Sequence, residues 1–249
     1  MNKTLRVATY NVHGCVGMDR QRSEARIAEV IGSLAAEIVG LQELDAGRAR
    51  SAAVDQAGAI AQQLGWKHFF HPAMRQGDEQ YGNAILSRSP LTLTRAVELP
   101  GEAPWYCREK RVVLVATAET HLGPVQIINT HLGLGRNERL LQAQLLIGSD
   151  WLRSLPESVA TILLGDFNSL RTSRSYRLIA GRLRDVRALV RPARALWTFP
   201  TRFPLLAVDH IFVNARLHPV KVEVHRTSLA RVASDHFPLV AELVRAHES

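Results

Sequence analysis

The sequence has few of the features that mark secreted, fibrous or membrane proteins. Only two of its 249 residues are cysteines, Cys15 and Cys107, and neither belongs to a Cys-x-x-Cys pair, so a disulfide framework is excluded. No apolar run approaches the roughly 20 residues that span a bilayer. The first residues contain no apolar segment of the signal-peptide kind. These absences predict a cytoplasmic protein.

Linkers and repeats are also missing. No Pro/Gly/Ser-rich stretch is long enough to separate domains, and no low-complexity segment or short repeat is present. Apolar residues make up 46% and charged residues 22%, which are ordinary values for a globular protein. We expect a single α/β domain over residues 1–249, and a monomer.

Lysine is scarce, although the chain is basic. The formal net charge is +8, and only four of the 31 basic residues are lysine. A cationic surface attracts phosphate-bearing partners, so nucleic acid and anionic lipid are both candidate partners. A GC-rich genome accounts equally well for an arginine-rich, lysine-poor composition.

Short runs rich in valine, isoleucine and leucine alternate with amphipathic stretches. The runs predict strands at Leu5–Tyr10, Ile38–Gln42, Asn83–Ser87, Leu91–Val97, Arg111–Thr117, Val125–Asn129, Ala160–Leu164, His210–Val213, Val220–Val224 and Leu239–Val244. The amphipathic stretches predict helices at Ser23–Leu34, Val54–Leu64, Glu138–Leu155 and Tyr176–Ala180. In the third helix, the residues expected on the apolar face are Leu141, Leu145, Ile147 and Leu152.

A strand–helix–strand pattern occurs twice, and polar residues follow its strands. Since ligands of α/β sheets bind outside the carboxyl ends of the strands, these side chains are expected at one edge. The duplication also predicts two sheets packed face to face, with helices outside. The residues that the pattern brings to this edge are Asn11, Glu43, His131, Asp166 and Asn168.

Two short motifs indicate chemistry most strongly. Asp166 and Asn168 follow a buried strand at i and i+2, and a buried carboxylate needs a cation or several donors. Asp235 and His236 adjoin each other just before the last predicted strand. Taken alone, Glu43 reads as a solvated loop residue and Asn11 as a turn former. Taken together, the Asp, Glu and Asn oxygens suit Mg²⁺, with Mn²⁺ as an alternative.

The ordered motifs resemble those of the endonuclease/exonuclease/phosphatase superfamily, over nearly the whole chain. They are Tyr10-Asn11, Leu41-Gln42-Glu43, Tyr81–Ser87, Asn129-Thr130-His131-Leu132, Gly165-Asp166-Phe167-Asn168, Val208-Asp209-His210 and Ser234–Leu239. The resemblance implies a four-layer α/β/β/α sandwich with two packed mixed β-sheets, and a metal-dependent hydrolase of phosphate esters.

The resemblance also implies roles for individual residues. It makes Asn11, Glu43 and Asp235 the metal site. Asp166 and Asn168 would position the attacking water and the phosphate. His236 would be the catalytic imidazole paired with Asp209, His131 would be a second histidine at the phosphate, and Asn83 would be a supporting residue beside it. The run Tyr10–Gly14 departs from the abasic-site endonuclease motif, which speaks against DNA repair.

Several functions stay open at this point. A phosphodiesterase or nuclease is the first interpretation, and Arg108, Glu109 and Arg111 are further residues near the expected phosphate. A lipid phosphodiesterase of the phosphoinositide or sphingomyelin type would need an exposed apolar surface. The segment Trp197–Leu206 could supply one, although we expect it to be a packed loop. A non-catalytic phosphate-binding module is the third alternative.

Overall fold

The computed structural model describes residues 4–101, 109–148, 158–190 and 195–246. The strands in these ranges are Leu5–Asn11 (β1), Ile38–Ala46 (β2), Lys67–Gln76 (β3), Glu79–Ser87 (β4), Leu91–Glu98 (β5), Val112–Thr120 (β6), Gly123–His131 (β7), Ala160–Asp166 (β8), Arg184–Asp185 (β9), Asp209–Val213 (β10), Leu217–Val224 (β11) and Leu239–Arg245 (β12). The α-helices are Glu24–Ser33 (α1), Gln56–Leu64 (α2), Arg136–Leu146 (α3), Arg174–Ala180 (α4), Val186–Leu189 (α5) and Ser228–Ala233 (α6).

The strands form two six-stranded mixed sheets. The first sheet has the order β11-β12-β1-β2-β4-β3, and the second has the order β5-β6-β7-β8-β10-β9. β1 and β2 pair in parallel in the first sheet, as β7 and β8 do in the second, and the other pairs are antiparallel. Each parallel pair is joined by a helix, α1 in one sheet and α3 in the other. The duplicated sequence pattern therefore corresponds to equivalent positions in two sheets.

Three apolar clusters separate four layers. One cluster lies between the first sheet and its helices, with Ile27 and Ile31 of α1 against Tyr10 of β1. A second cluster fills the space between the sheets, where Ile38 and Ile162 are both fully buried. A third cluster packs α3 and α4 on the second sheet. Burial of a large apolar side chain stabilises a fold by about 1.5–3 kcal/mol, so each interface is a substantial source of stability. The predicted α/β/β/α sandwich is confirmed.

Strand β3 was not predicted. Its residues, Lys67–Gln76, show no clean apolar alternation and include Pro72. The strand lies at the edge of the first sheet, and the register with β4 shifts between Pro72 and Met74. Proline is tolerated at such an edge because it has no N–H to donate to a ladder. The short elements β9, α5 and α6 were missed as well.

The predicted apolar face of α3 is wrong at Leu141, whose side chain is 48% exposed. The polar residues Glu138 and Gln142 are buried instead, because they accept hydrogen bonds from the backbone N–H groups of Gly135 and Gly133. These bonds fix the loop that follows β7. The helix ends at Leu146, and residues 149–155 of the predicted helix, including Leu152, lie outside the described residues.

Gly165 allows β8 to approach β7 closely just before Asp166. Its φ is +149°, and a Cβ atom placed on it would lie 1.9 Å from the carbonyl oxygen of Thr130 in β7. Only glycine combines this backbone conformation with so close an approach. Gly165 therefore lets Asp166 stand directly opposite His131 in the parallel register. None of the described helices is long and apolar enough to cross a membrane.

Candidate active site

Polar side chains meet at the ends of β1, β7 and β8, at a bulge in β2 and at the start of β10. Contacts of 3.7 Å or less link most of the predicted site residues into one group. The linked residues are Asn11, Glu43, His131, Asp166, Asn168, Asp209, Asp235 and His236. These contacts do not include Asn83. Its side chain donates to the backbone carbonyl of Val112 at 3.3 Å and joins β4 to the second sheet.

Asp166 is the centre of this group, and it is only 1% exposed. Its Oδ1 accepts the backbone N–H of Asn168 at 2.8 Å, and its Oδ2 accepts Nδ2 of Asn11 at 3.1 Å. Oδ2 also lies 3.7 Å from Nε2 of both His131 and His236. Burial raises the pKa of Asp166 against the lowering effect of His236. Such a carboxyl can take up a proton near neutral pH.

His236 is paired with Asp209. Nδ1 of the imidazole lies 2.9 Å from Oδ2 of Asp209, so Nδ1 carries a proton and Nε2 faces Asp166. Burial alone would lower the pKa of His236, but the carboxylates of Asp209 and Asp166 raise it overall. The ring of Phe199 packs on the imidazole, with centroids 4.6 Å apart. The arrangement keeps the ring protonated and fixes its direction.

His131 lies on the other side of Asp166. Nη1 of Arg111 is 3.1 Å from its Nδ1, and because arginine can only donate, Nδ1 accepts. Burial and the charge of Arg111 hold the pKa of His131 well below its usual value, so the ring is neutral. Its single proton is then on Nε2, which faces Asp166. Nδ2 of Asn168 donates to the carbonyl of Leu132 at 2.9 Å and lies 3.1 Å from Nε2, where both nitrogens carry hydrogen and no hydrogen bond joins them.

Glu43 is turned toward the site by a bulge in β2. The register between β2 and β4 shifts from Leu41 to Leu44, and Glu43 has a φ of +64°. A positive φ is uncommon for a residue with a side chain and is characteristic of functional sites. Glu43 was predicted at the end of its strand, but β2 continues to Ala46 beyond the bulge. Nδ2 of Asn11 donates to Oε1 of Glu43 at 2.8 Å.

Glu43 and Asp235 face the same position. Nδ1 of His13 lies 3.7 Å from a carboxylate oxygen of each. The Glu43 carboxylate raises the pKa of His13, with Asp235 contributing. Burial would raise the pKa of Glu43, but His13, His131 and Asn11 hold it below its usual range. Two converging carboxylates need positive charge between them, and the oxygens of Glu43 and Asp235 suit a divalent cation.

A second group of metal-type ligands shares no residue with the Glu43 and Asp235 pair. One ligand atom from each of Asp166, Asp209 and His236 lies within 4.8 Å of the others. In that group Oδ2 of Asp209 and Nδ1 of His236 are hydrogen-bonded to each other, which occupies these two atoms, whereas the buried Oδ1 of Asp209 has no hydrogen-bond partner among the described residues. The carboxylates of Glu43 and Asp235 instead meet a half-exposed imidazole, which can move aside. They are the better candidate for the cation.

Comparison with known proteins identifies the family. A model of the Endonuclease/Exonuclease/phosphatase family matches residues 8–236. The chain belongs to this family. It is 31% identical over 258 residues to the uncharacterized protein YbhP of Escherichia coli K12, covering 96% of both chains.

Solved structures of the family share the fold. A mannosyl-6-phosphatase of Bacteroides thetaiotaomicron has a TM-score of 0.77 at 23% identity, with 96% of this chain and 99% of that chain covered. The human Nocturnin catalytic domain with bound sulfate has a TM-score of 0.72 at 18% identity, with 98% and 94% covered. Members of the Endonuclease/Exonuclease/phosphatase family are hydrolases that act on phosphate esters.

In this member of the family, Asn129 ties the two sheets together behind the site. Its Nδ2 donates to the carbonyls of Leu41 at 2.9 Å and Ala84 at 2.8 Å, and its Oδ1 accepts from Gln42 at 2.7 Å. All of these groups are buried. Sequence reasoning placed Asn129 in a motif but gave it no role. Leu41 and Gln42 precede Glu43, so the bonds from Asn129 support the bulge that presents this carboxylate.

A second network that sequence reasoning missed supports Asp209. The buried guanidinium of Arg187 donates to the backbone carbonyl of Asp209 and to Nδ1 of His210. Asp185 accepts from the backbone N–H of Arg187 at 2.8 Å and from the hydroxyl of Tyr176 at 2.6 Å. The sequence contains no distinctive signal for this network, because charged and apolar residues are interspersed from Arg182 to Arg187.

Two other predictions near the site have different outcomes. Arg111 reaches His131 and pairs with Glu109 at 3.0 Å, whereas Arg108 lies outside the described residues. The prediction that Trp197–Leu206 is a packed loop is wrong at its tip. Phe203 is 68% exposed and Leu205 66%, because the buried part of the loop is its polar anchor, Thr198 and Thr201.

Proposed function

We propose that this chain is a divalent-metal-dependent phosphodiesterase with nuclease activity, using Mg²⁺ or Mn²⁺. The observation that carries the proposal is the position of Asp166. Its buried carboxylate lies 3.7 Å from Nε2 of both His131 and His236, with its pKa raised by burial. A base placed between two imidazoles suits proton transfer beside a bound phosphate.

The proposed reaction is in-line attack of water on the phosphorus atom. Asp166 holds the water and takes its proton as the new P–O bond forms and the P–O bond to the leaving group, on the opposite side of phosphorus, breaks. His236, kept protonated by Asp209, and the Nε2–H of His131 donate to phosphate oxygens as negative charge develops on them. Asn168 contacts the phosphate from the adjacent position. A divalent cation held by Glu43 and Asp235, beside Asn11, would neutralise charge on the leaving oxygen.

The first experiment is nicking of supercoiled plasmid in the presence of Mg²⁺ or Mn²⁺. Cleavage should be lost in EDTA and in Asp166→Asn, which keeps the shape of the side chain. The Asp19→Asn variant is the matched control, because Asp19 is paired with Arg26 on the surface. Activity of Asp166→Asn equal to that of the unaltered protein would refute the role of Asp166.

A specific observation favours a second candidate, a lipid phosphodiesterase. Phe203 and Leu205 form an exposed apolar tip, and Phe199 in the same loop packs on His236. Exposed apolar side chains beside a catalytic site are suited to contact with a membrane surface. Release of phosphate esters from phospholipid vesicles that falls in Phe203→Ser/Leu205→Ser, without loss of activity on a soluble diester, would support this function. Equal rates on vesicles for both proteins would exclude the tip as a membrane contact.

A further inference from the structure

The structure has a strongly basic groove outside the catalytic group. It lies between α3 and α4, has a volume of about 560 Å³, and is lined by Arg136, Asn137, Arg139, Leu140, Thr172, Ser173, Arg174, Ser175 and Arg177. We call it the arginine groove. Four of these nine residues are arginines, and none is a carboxylate. The groove takes no part in the proposed proton transfers.

The arginines form two rows. Arg136 and Arg139 are spaced i,i+3 on α3, and Arg174 and Arg177 are spaced i,i+3 on α4, so each pair shares a helix face. In the part of the chain that the structure describes, no carboxylate lies within ion-pair distance of Arg136, Arg174 or Arg177. All three are exposed. The mutual repulsion of these charges is relieved when an anion enters the groove.

The arginine groove opens toward the catalytic group. An adjoining cavity of about 400 Å³ is lined by Asn168 and His236 of the catalytic group, by the apolar residues Leu170, Phe199, Leu206 and Val208, and by Arg139, Thr172 and Ser173. These last three residues also line the arginine groove. A ligand whose reacting group lies at His236 can therefore continue into the groove without leaving the surface.

The residues that line the arginine groove indicate the kind of anion that it binds. Guanidinium groups match phosphate oxygens in pairs, and the hydroxyls of Thr172 and Ser173 add neutral donors. Leu140 is the one apolar residue among the nine that line the groove, so the groove offers little to an acyl chain. A linear chain of phosphates fits both the two rows of charge and the path to His236.

We propose that the arginine groove binds the phosphates of a single nucleic-acid strand next to the bond that is cut. The proposal rests on the phosphodiesterase function and specifies its substrate. Contacts to backbone phosphates hold a strand in register but do not read its sequence. The groove therefore contributes affinity that a substrate with one phosphate cannot use.

The test compares Arg174→Gln/Arg177→Gln with a control of equal charge change, Lys67→Gln/Arg88→Gln. Lys67 and Arg88 lie at the opposite end of the first sheet, where Lys67 pairs with Ser87. Binding of a fluorescent 12-nucleotide single strand is measured by anisotropy in EDTA, so that no cleavage occurs. We expect the groove variant to bind about tenfold more weakly at low salt. Its log–log salt slope should fall by roughly one to one and a half, as expected for two lost phosphate contacts.

Activity separates this proposal from the proposed function. Bis(p-nitrophenyl) phosphate has one phosphate, so the groove variant should hydrolyse it at the unaltered rate while its KM for the oligonucleotide rises about tenfold. In one outcome, the diester is hydrolysed while the groove and control variants bind the strand equally well. That result would overturn the proposed role of the arginine groove and leave the phosphodiesterase proposal intact. If the diester is not hydrolysed, the proposed phosphodiesterase function is refuted. The binding measurement still shows whether the arginine groove binds the strand. Arginine-dependent binding to phosphatidylglycerol vesicles without strand binding would also overturn the assignment.

Discussion

The side-chain amide of Asn129, in the second sheet, donates a hydrogen bond to the backbone carbonyl of Leu41 in the first sheet. A buried amide that joins two sheets cannot be replaced by an apolar side chain without leaving polar groups unpaired. The bond stands directly behind the bulge that turns Glu43 toward the site. The bond therefore links the packing of the two sheets to the position of Glu43 in the candidate site.

The first prediction concerns this bond. Asn129→Leu removes the partners of the Leu41 and Ala84 carbonyls and of the Gln42 amide, all of them buried. We expect the free energy of unfolding to fall by about 3 kcal/mol, since each orphaned group costs about 1–3 kcal/mol. Urea unfolding followed by circular dichroism measures the change. Asn137→Leu, on the exposed face of α3, is the control and should change stability by less than about 0.5 kcal/mol.

The second prediction concerns the Asp209–His236 pair. Asp209→Asn removes the charge that keeps His236 protonated and oriented. We expect kcat on bis(p-nitrophenyl) phosphate to fall about 100-fold with KM nearly unchanged, because general acid–base groups contribute about 10²–10⁴ in rate. Steady-state kinetics give both constants. A similar loss in the surface control Asp19→Asn, or no loss in Asp209→Asn, would contradict the assignment.

The third prediction concerns the cation. Glu43→Gln and Asp235→Asn should each raise the Mg²⁺ concentration for half-maximal activity about tenfold or more, since each removes one anionic ligand. A second readout does not depend on turnover: the rise in melting temperature on adding Mg²⁺ should shrink in both variants. Glu29→Gln, on the solvent face of α1, should behave like the unaltered protein. If Asp209→Asn abolishes the Mg²⁺ response and Glu43→Gln does not, the cation belongs to the group of Asp166, Asp209 and His236.

The fourth prediction concerns pH and stability. Burial would raise the pKa of Asp185, but His210, Arg187 and Tyr176 hold it below its usual value. The unfolded chain therefore binds more protons than the native protein between the two pKa values, so stability rises with pH in that window. The contribution of Asp185 is complete above about pH 5 and is lost as the pH falls below 4. In urea titrations from pH 3 to pH 7, Asp185→Asn should be less stable near neutrality and should show a weaker loss on acidification. Parallel curves for the two proteins would rule out this contribution.

The layers were predicted because the strand–helix–strand pattern occurs twice, with an amphipathic helix between each pair of strands, and because the ordered motifs resemble those of the family. It did not predict β3, since an edge strand is not required to be apolar and its Pro72 reads as a breaker. It misplaced the buried face of α3 for a related reason. Glu138 and Gln142 are buried to bind backbone N–H groups of a loop, and hydrophobic periodicity carries no information about such bonds.

The residues of the candidate site were predicted from motifs, and the structure shows the hydrogen bonds and ion pairs that join them. Polar residues at strand ends indicated Asn11, Asp166 and Asn168. His13 lies in a short 3₁₀ turn and has a positive φ. It was not predicted as a site residue, because a single histidine after a strand has no distinctive sequence pattern. Arg187 was missed because its partner, the backbone carbonyl of Asp209, leaves no trace in the sequence.

The order of the strands in the first sheet has a consequence for synthesis. β12 lies between β1 and β11, and the segment just before it supplies Asp235 and His236. The backbone carbonyl of Asn11 accepts a hydrogen bond from the hydroxyl of Ser234, which is made 223 residues later, just before Asp235 and His236. A growing chain thus has no complete site until β12 has been made and has paired with β1.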